Sequence, residues 1–495
     1  MYFLGYDIGT SSVKASLIEA DSGKLVASAS FPEKEQAILS PQAGWAEQEP
    51  EMWWDSLKEA TKKLRAKGFN TQKVLGIGIA YQMHGLVVVD RNLKPLRPSV
   101  IWCDSRAVEI GNKAFNELGA DQCLTHLLNS PGNFTASKLK WVKENEPEVY
   151  EQIYKIMLPG DYIAMKLTGE VNTTITGLSE GTFWDFEKED TADFLLDYYQ
   201  LDKQLLADIC PVFGDQGKVK PEVAEELGLA VGTKVCYRSG DQPNNALSLN
   251  VMKPGEIAAT AGTSGVVYGI SDELKYDQES RVNTFAHVNH TTQDRRLGIL
   301  LCINGTGIQN SWMKNTAGGH LSYNEMNDAA AKIPVGAEGL QIFPFGNGAE
   351  RMLSNRTLGA SIHQLDFNKH TPAHLYRAAQ EGIVFSFQYG ISIMEEMGVK
   401  PSVIKAGKTN MFQSEVFTST LSSVTGVPIE LYDTDGSRGA AMGAAFGFGH
   451  HTSIDSIAES VACTGLVEPD LTNQAVYQEA YGSWKNQLET LLKNA

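Results

Sequence analysis

The sequence predicts an α/β protein built from two related halves that face one bound nucleotide, and three observations carry that expectation. At 495 residues the chain exceeds what one hydrophobic core usually supports, so two domains are expected. Tyr2 to Asp7 is an apolar, strand-like run, Ile8-Gly9-Thr10-Ser11-Ser12 is a turn of small residues, and Val13 to Ile18 is a second strand-like run. The same device returns about half a chain later, where Ile257 to Ala261 leads into Gly262-Thr263-Ser264-Gly265 and out through Val266-Val267-Tyr268. Both turns carry Gly-Thr-Ser, which marks a weak internal repeat rather than a solenoid. Turns of this kind aim backbone N–H groups and hydroxyls at a phosphate.

Between the hairpins, Tyr237-Arg238-Ser239-Gly240-Asp241-Gln242 sets a carboxylate just after a short apolar run, on a glycine that allows close backbone approach. Asp241 is the candidate general base. A proton acceptor followed closely by an anion cradle is what phosphoryl transfer to a hydroxyl needs. Taken alone the pair reads more readily as a solvated turn Asp and an ordinary hairpin; the repeated turn at the N-terminus shifts the balance to function.

The formal net charge of −17 argues against a nucleic-acid partner, whose phosphates would be repelled over most of the surface. It also requires backbone donors and a metal cation to do most of any phosphate binding. Six scattered cysteines without CxxC spacing indicate neither a zinc site nor a disulfide framework, and point to a reducing, cytoplasmic compartment. The apolar N-terminus lacks a basic leader and is interrupted by Asp7, and no run is long enough to span a bilayer, so no membrane role is expected.

In chain order, Asp7 ends the first strand beside the first phosphate turn, where a carboxylate commonly serves Mg²⁺, and Lys14 follows on the same hairpin. A helix starts near Met52 and Trp53 and runs through Leu57, Ala60 and Leu64. Val74 to Ala80 alternates as a strand, and Gln82-Met83-His84-Gly85 breaks it before Leu86 to Val89 resumes. Ligands gather at such strand ends, which singles out His84 against the reading of a solvated loop histidine. In Trp102-Cys103-Asp104-Ser105-Arg106, Asp104 and Arg106 either clasp sugar hydroxyls or pair with each other. From Ala107 to Lys203 the pattern is helical and loop-rich, with Lys138 and Lys140 read as surface residues and Pro159 to Tyr162 and Leu178 to Gly181 as turns that could edge a pocket. Glu222 to Leu229 is a short helix.

Beyond the second hairpin, Leu297 to Ile303 is a strand ending at Asn304-Gly305-Thr306-Gly307, Glu325 to Ile333 is helical, and Phe343 to Gly348 is a loop. Leu375 to Met397 is the clearest helix, with Ala379, Ile383, Phe387, Ile391 and Met394 on one face and Gly398 as its stop. Ser402 to Ala406 is a strand, Gly407 to Asn410 a turn, Phe412 to Val424 a helix and Pro428 to Tyr432 a strand. Gly439 to Ala445 is a helix of very small residues suited to close approach by a flat base or, more commonly, by another helix. Gly407-Lys408-Thr409 resembles the end of a P-loop, but the required earlier glycine is Ser402. No GxGxxG element occurs, and His287 and His290 lack a third metal ligand.

These residues together resemble the FGGY family of carbohydrate kinases. The resemblance covers nearly the whole chain and rests on Gly5 to Lys14, Gln82 to Gly85, Trp102 to Arg106, Gly240-Asp241, Gly262 to Gly265 and Glu381-Gly382-Ile383. It implies two ribonuclease-H-like α/β domains of the actin and hexokinase type flanking an interdomain cleft: a sugar-binding domain over 1–245 and a nucleotide-binding domain over 246–495. Asp241 then matches the general base and Asp7 the acidic residue near Mg²⁺. Met83, His84, Trp102, Asp104, Arg106 and Gln242 match positions near the sugar. Thr10, Gly262, Thr263, Gly407 and Asn410 match positions near ATP, and Ser11, Lys14, Ser264 and Gly305 complete the candidate nucleotide set from the turns. Two departures stand out: Gly407-Lys408-Thr409 replaces a common glycine triplet, and Gln242 stands where asparagine is common. The resemblance is strongest to kinases of D-xylulose; kinases of L-ribulose, L-fuculose, glycerol or gluconate, and a non-enzymatic ATP-dependent sugar sensor, are the alternatives. Oligomeric state is open, a homodimer included.

Overall fold

The computed structural model describes residues 1–453 and 461–494. Its strands form two main sheets. The first contains β1 (Tyr2–Ile8), β2 (Val13–Glu19), β3 (Leu25–Phe31), β4 (Val74–Tyr81) and β5 (Lys234–Gly240) in the order β5-β4-β1-β2-β3. The second contains β6 (Glu256–Ala261), β7 (Gly265–Ser271), β8 (Asn283–Ala286), β9 (Leu297–Ile303), β10 (Val403–Gly407), β11 (Ile429–Tyr432) and β12 (Cys463–Val467) in the order β8-β9-β7-β6-β10-β11-β12.

The internal repeat is visible in the pairing. β1 runs antiparallel to β2 and parallel to β4, as β6 runs antiparallel to β7 and parallel to β10. The order β11-β10-β6-β7-β9 therefore restates β5-β4-β1-β2-β3, with β8 and β12 added at the edges. The central parallel strand β4 is buried along nearly its whole length, as a strand covered on both faces must be.

Helices used below are α1 (Pro50–Ala66), α2 (Thr135–Asn145), α3 (Pro159–Thr168), α4 (Ile175–Glu180), α5 (Asp241–Ser248), α6 (Gly307–Ala317), α7 (Tyr323–Ala331), α8 (Pro372–Glu396), α9 (Glu415–Thr425) and α10 (Gly436–Gly447). α1 starts on a proline, which costs nothing where the N–H has no helical partner, and buries Trp53, Trp54, Leu57, Ala60 and Leu64 on one stripe. α8 buries the anticipated face in the core of the second sheet, with Ile383, Phe387, Ile391 and Met394.

The halves are joined by an exchange. β5 passes directly into α5 and β11 into α10, and α10 crosses over to lie on β1, β4 and β5 of the first sheet while also packing on α5. Its small residues permit this approach: a Cβ on Gly78 would overlap the Ala440 carbonyl, and one on Gly5 the Ser437 carbonyl. The small-residue helix thus serves packing and not a nucleotide base.

Several local expectations are corrected. Pro159 to Tyr162 is not a turn but the first turn of α3, where Pro is preorganised for helix. Leu178 to Gly181 ends α4, whose start is capped by the Thr174 side chain accepting from the Gly177 N–H. Phe343 to Phe345 belongs to a strand (Gln341–Phe345) paired with Gly359–His363; Pro344 is tolerated because a two-stranded ribbon leaves one edge of each strand unpaired. The helix expected from Phe412 begins as a 3₁₀ turn over Asn410–Gln413, with α9 starting only after the Ser414 cap. Lys138 is fully buried, not superficial.

Candidate active site

Asp241 is the first residue of α5, at the C-terminal end of β5, where ligands of open α/β sheets collect. Burial raises its carboxyl to about 7, and the nearby charge of Asp7 adds to the shift, while hydrogen bonds from Gln242 oppose it. A carboxylate poised near neutrality is suited to accept a hydroxyl proton. Asp7 is raised to about 6, by burial first and then by Asp435, with Lys14 acting in the opposite sense. Lys14 lies 4.0 Å from Asp435 and is half exposed, as is the tip of the first hairpin around Ser11.

The residues expected near a sugar divide into two groups. Met83 and His84 follow β4 at the same sheet edge as Asp241, and Met83 lies against Gly240. His84 has φ 60°, a left-handed conformation that is uncommon for a side chain and clusters at functional sites. Its Nδ1 donates to the Glu180 carbonyl at 2.9 Å, which leaves Nε2 as an acceptor. Burial and the neighbouring Lys138 charge hold the ring neutral, with its pKa near about 3. Trp102, about half exposed, donates Nε1–H to the Thr10 hydroxyl at 3.0 Å; Thr10 in turn donates to Gln82 Oε1 at 3.1 Å.

Asp104 and Arg106 are the correction. Asp104 is fully buried, accepts from the Ala46 N–H at 2.6 Å, and holds Arg106 through Nε and Nη2 at 3.0 and 2.8 Å. The Arg106 guanidinium also reaches Glu47 at 2.8 Å and stacks 3.9 Å over Trp45. Of the two alternatives open in the sequence, the pair satisfies itself and offers nothing to the cleft. Buried Lys138 supports the same wall by donating to the His84 and Ile101 carbonyls at 2.8 and 3.0 Å; burial lowers its pKa to about 7.

Beside the second hairpin a cavity of about 440 Å³ is lined by Gly262, Thr263 and Asn410, with Gly307, Asn310 and Asn327 among the residues that complete it. The Gly307 and Ile308 N–H groups donate to the Gly262 and Thr263 carbonyls at 2.8 and 3.0 Å, which fixes α6 against the second hairpin. Ser264, Gly305 and Gly407 do not line this cavity. Gly305 is glycine for another reason: a Cβ there would collide with the Pro344 carbonyl. Asn310, Asn327 and Gln413 carry no motif and had no signal in the sequence beyond polarity.

One further group lies beside Asp241, from the segment expected to edge a pocket. Glu180, 1% exposed, brings Oε2 to 2.6 Å from where a Gly240 side chain would begin, and burial with the Asp241 charge keeps its carboxyl strongly raised.

The carboxylates fit a hard divalent cation. Asp7 and Asp241 repel one another and neither holds a basic partner of its own in an ion pair among the described residues, while no cluster of three metal-ligating side chains occurs among those residues. That suits Mg²⁺, which keeps several waters and takes one or two carboxylates together with phosphate oxygens.

The duplicated sheet architecture is that of an actin- and hexokinase-like phosphotransferase. Residues 2–248 match the N-terminal domain of the FGGY family of carbohydrate kinases, and 257–448 its C-terminal domain. The chain belongs to that family and is an enzyme of the carbohydrate kinase class. It is 30% identical to a xylulose kinase of Lactococcus lactis, across 98% of this chain and 96% of that relative, and 29% identical to a xylulose kinase of Escherichia coli, across 90% and 88%. Among solved structures, a ligand-bound xylulose kinase of Lactobacillus acidophilus superposes with a TM-score of 0.90 at 24% identity over 99% and 98% of the chains. A Plasmodium falciparum glycerol kinase with ADP superposes at 0.88 and 19%, over 99% and 98%. These likenesses establish the fold; the substrate is a separate question.

Proposed function

We propose that the chain transfers the γ-phosphoryl group of ATP to the terminal primary hydroxyl of D-xylulose, giving D-xylulose 5-phosphate and ADP. The observation that carries the reading is Asp241: a carboxyl raised to about 7, at the first turn of α5, which follows β5 directly. Similarity over nearly the full length of xylulose kinases supports the choice of sugar.

In this mechanism Asp241 accepts the hydroxyl proton as the sugar oxygen attacks the γ-phosphorus and the bond to the ADP oxygen breaks. Met83, His84, Trp102 and Gln242 hold the sugar, with His84 Nε2 accepting from a hydroxyl. Thr10, Ser11 and Lys14 on one hairpin and Gly262, Thr263 and Ser264 on the other face the phosphates, and Asn410 borders the adenosine. Asp7 would hold Mg²⁺, which when bound neutralises developing phosphate charge. A sugar-binding domain over 1–245, a nucleotide-binding domain over 246–495 and a cytoplasmic location complete the proposal; no helix among the described residues is long and apolar enough to cross a membrane. Hinge closure over both substrates excludes water, because a wet site would hydrolyse ATP.

The test is ADP release by the purified protein with Mg-ATP across D-xylulose, L-ribulose, L-fuculose, glycerol and gluconate, with a no-sugar control. Strong dependence on D-xylulose is expected. Preference for another sugar overturns the substrate, and sugar-independent hydrolysis overturns the kinase mechanism.

A further inference from the structure

The cavity beside the second hairpin is walled by two kinds of chemistry. Gly262 and Thr263 bring the small-residue turn suited to phosphate, and α7 brings Tyr323, Asn324 and Asn327. Among the described residues no side chain lining the cavity is charged, and amides recur on its walls, with Asn310 from α6 and Gln413 from the turn before α9. Phosphate calls for cations or clustered backbone donors, whereas a neutral planar ring with donors and acceptors on its edge is met by amides of this kind. α7 is held in place to supply them: Met326 and Ala330 pack in one cluster with Ala378 and Ala379 of α8, and the Ser322 and Glu325 side chains cap its start.

Asn327 is the amide whose orientation the fold fixes. Ser414 caps α9, its Oγ accepting from the Phe417 N–H at 3.4 Å, and it donates its own hydrogen to Gln380 Oε1 at 2.6 Å. Gln380 lies on α8 and is 1% exposed, so both ends of its amide need partners within the protein. With Oε1 taken by Ser414, its Nε2 donates to Asn327 Oδ1 at 2.9 Å. The relay occupies the Asn327 carbonyl and leaves its Nδ2 with no acceptor among the described residues, on a half-buried side chain that lines the cavity. The opposite wall is tied to the same part of α8, because Gln309 Nε2 of α6 donates to the Ala379 carbonyl at 3.0 Å.

We propose that Asn327 is a nucleotide-binding residue whose amide NH2, aimed by Gln380, donates to a ring nitrogen of adenine and so reads the base. The ring nitrogens N1, N3 and N7 of adenine are acceptors, and the free half of the Asn327 amide is a donor. The assignment rests on the ATP-dependent kinase reading above and deepens it by naming the group that recognises the nucleobase.

The test measures, by calorimetry, the affinity of wild type, Asn327→Leu and Asn327→Asp for ADP and for its 1-deaza, 3-deaza and 7-deaza analogues, with Tm as the control for folding. Wild type is expected to bind one of the three analogues about 2- to 10-fold more weakly than ADP, the range of one neutral hydrogen bond. Asn327→Leu should lose that same factor on ADP and no longer distinguish the analogue from ADP. Asn327→Asp keeps the shape and the contact with Gln380 but turns an acceptor to the ring, so it should bind ADP at least as weakly as Asn327→Leu. Equal wild-type affinity for all four ligands, unchanged ADP affinity in both variants, or a deaza penalty that survives Asn327→Leu overturns the assignment while the kinase reading stands. If Asn327→Leu fails to fold, Asn327→Asp decides by the same comparison of ADP with its analogues. Wild type that binds no ADP overturns both.

Discussion

The indole N–H of Trp102 reaches the Thr10 hydroxyl at 3.0 Å, linking the segment proposed to hold the sugar to the small-residue turn of the first hairpin. Thr10 continues the chain to Gln82, whose Nε2 donates to Gln48 at 3.1 Å, and Gln48 returns a hydrogen bond to the Thr10 carbonyl at 2.8 Å. One closed network thus fixes the turn and the wall relative to each other. Trp102→Phe keeps a large ring and removes the donor; KM for both sugar and ATP should rise about 2- to 10-fold with the fold intact. Steady-state kinetics with each substrate varied checks this, and a change confined to one substrate would show that the two are not coupled through Thr10.

Asp241→Ala should lower kcat about 10²- to 10⁴-fold, the range of a lost general base, with ADP binding by calorimetry preserved. Near-normal turnover would remove the assignment.

The raised Asp241 carboxyl has two pH consequences. Its base form is lost below about pH 7, so kcat/KM for the sugar should fall on an acid limb there, and Asp7→Asn, which removes the neighbouring charge, should move the metal-free Asp241 titration downward. For stability the sign is opposite to the usual carboxylate. Between the unfolded value of 3.8 and the folded value of about 7 the native state binds more protons than the unfolded state, so this group makes the protein less stable as pH rises through that window. Asp241→Asn should therefore raise Tm at pH 8, with the gain disappearing by about pH 4. Thermal melts at both pH values decide it; an equal Tm gain at both would show that ionisation is not the cause.

Lys138→Met should destabilise the fold by about 2–4 kcal/mol, because the His84 and Ile101 carbonyls both lose their buried donor. His84, held with φ 60°, should loosen with it and sugar KM should rise. Chemical denaturation and kinetics on one preparation check the two effects; a stable variant with unaltered KM would contradict the supporting role.

The parts legible in the sequence are those set by local chemistry. Both hairpins showed because small-residue turns between apolar runs need no tertiary context, and their repetition anticipated the duplicated sheet order. Asp241 and His84 showed because each interrupts or ends a strand. What stayed hidden depends on partners distant in the chain. Lys138 shares a helix with residues of ordinary amphipathic spacing, and only the fold brings two carbonyls to its amine. Asp104 and Arg106 carried the right residue types for sugar binding, but Glu47 and Trp45 complete a self-contained cage around them. Pro344 concealed a strand because the edge that tolerates it is a property of the sheet.

The most direct test of the central claim is ³¹P and ¹³C NMR of the product formed from D-xylulose and Mg-ATP. The account predicts one new phosphate ester coupled to the terminal C5 carbon, formed in equal amount to ADP. Phosphate on another carbon, or inorganic phosphate in place of the ester, would contradict it.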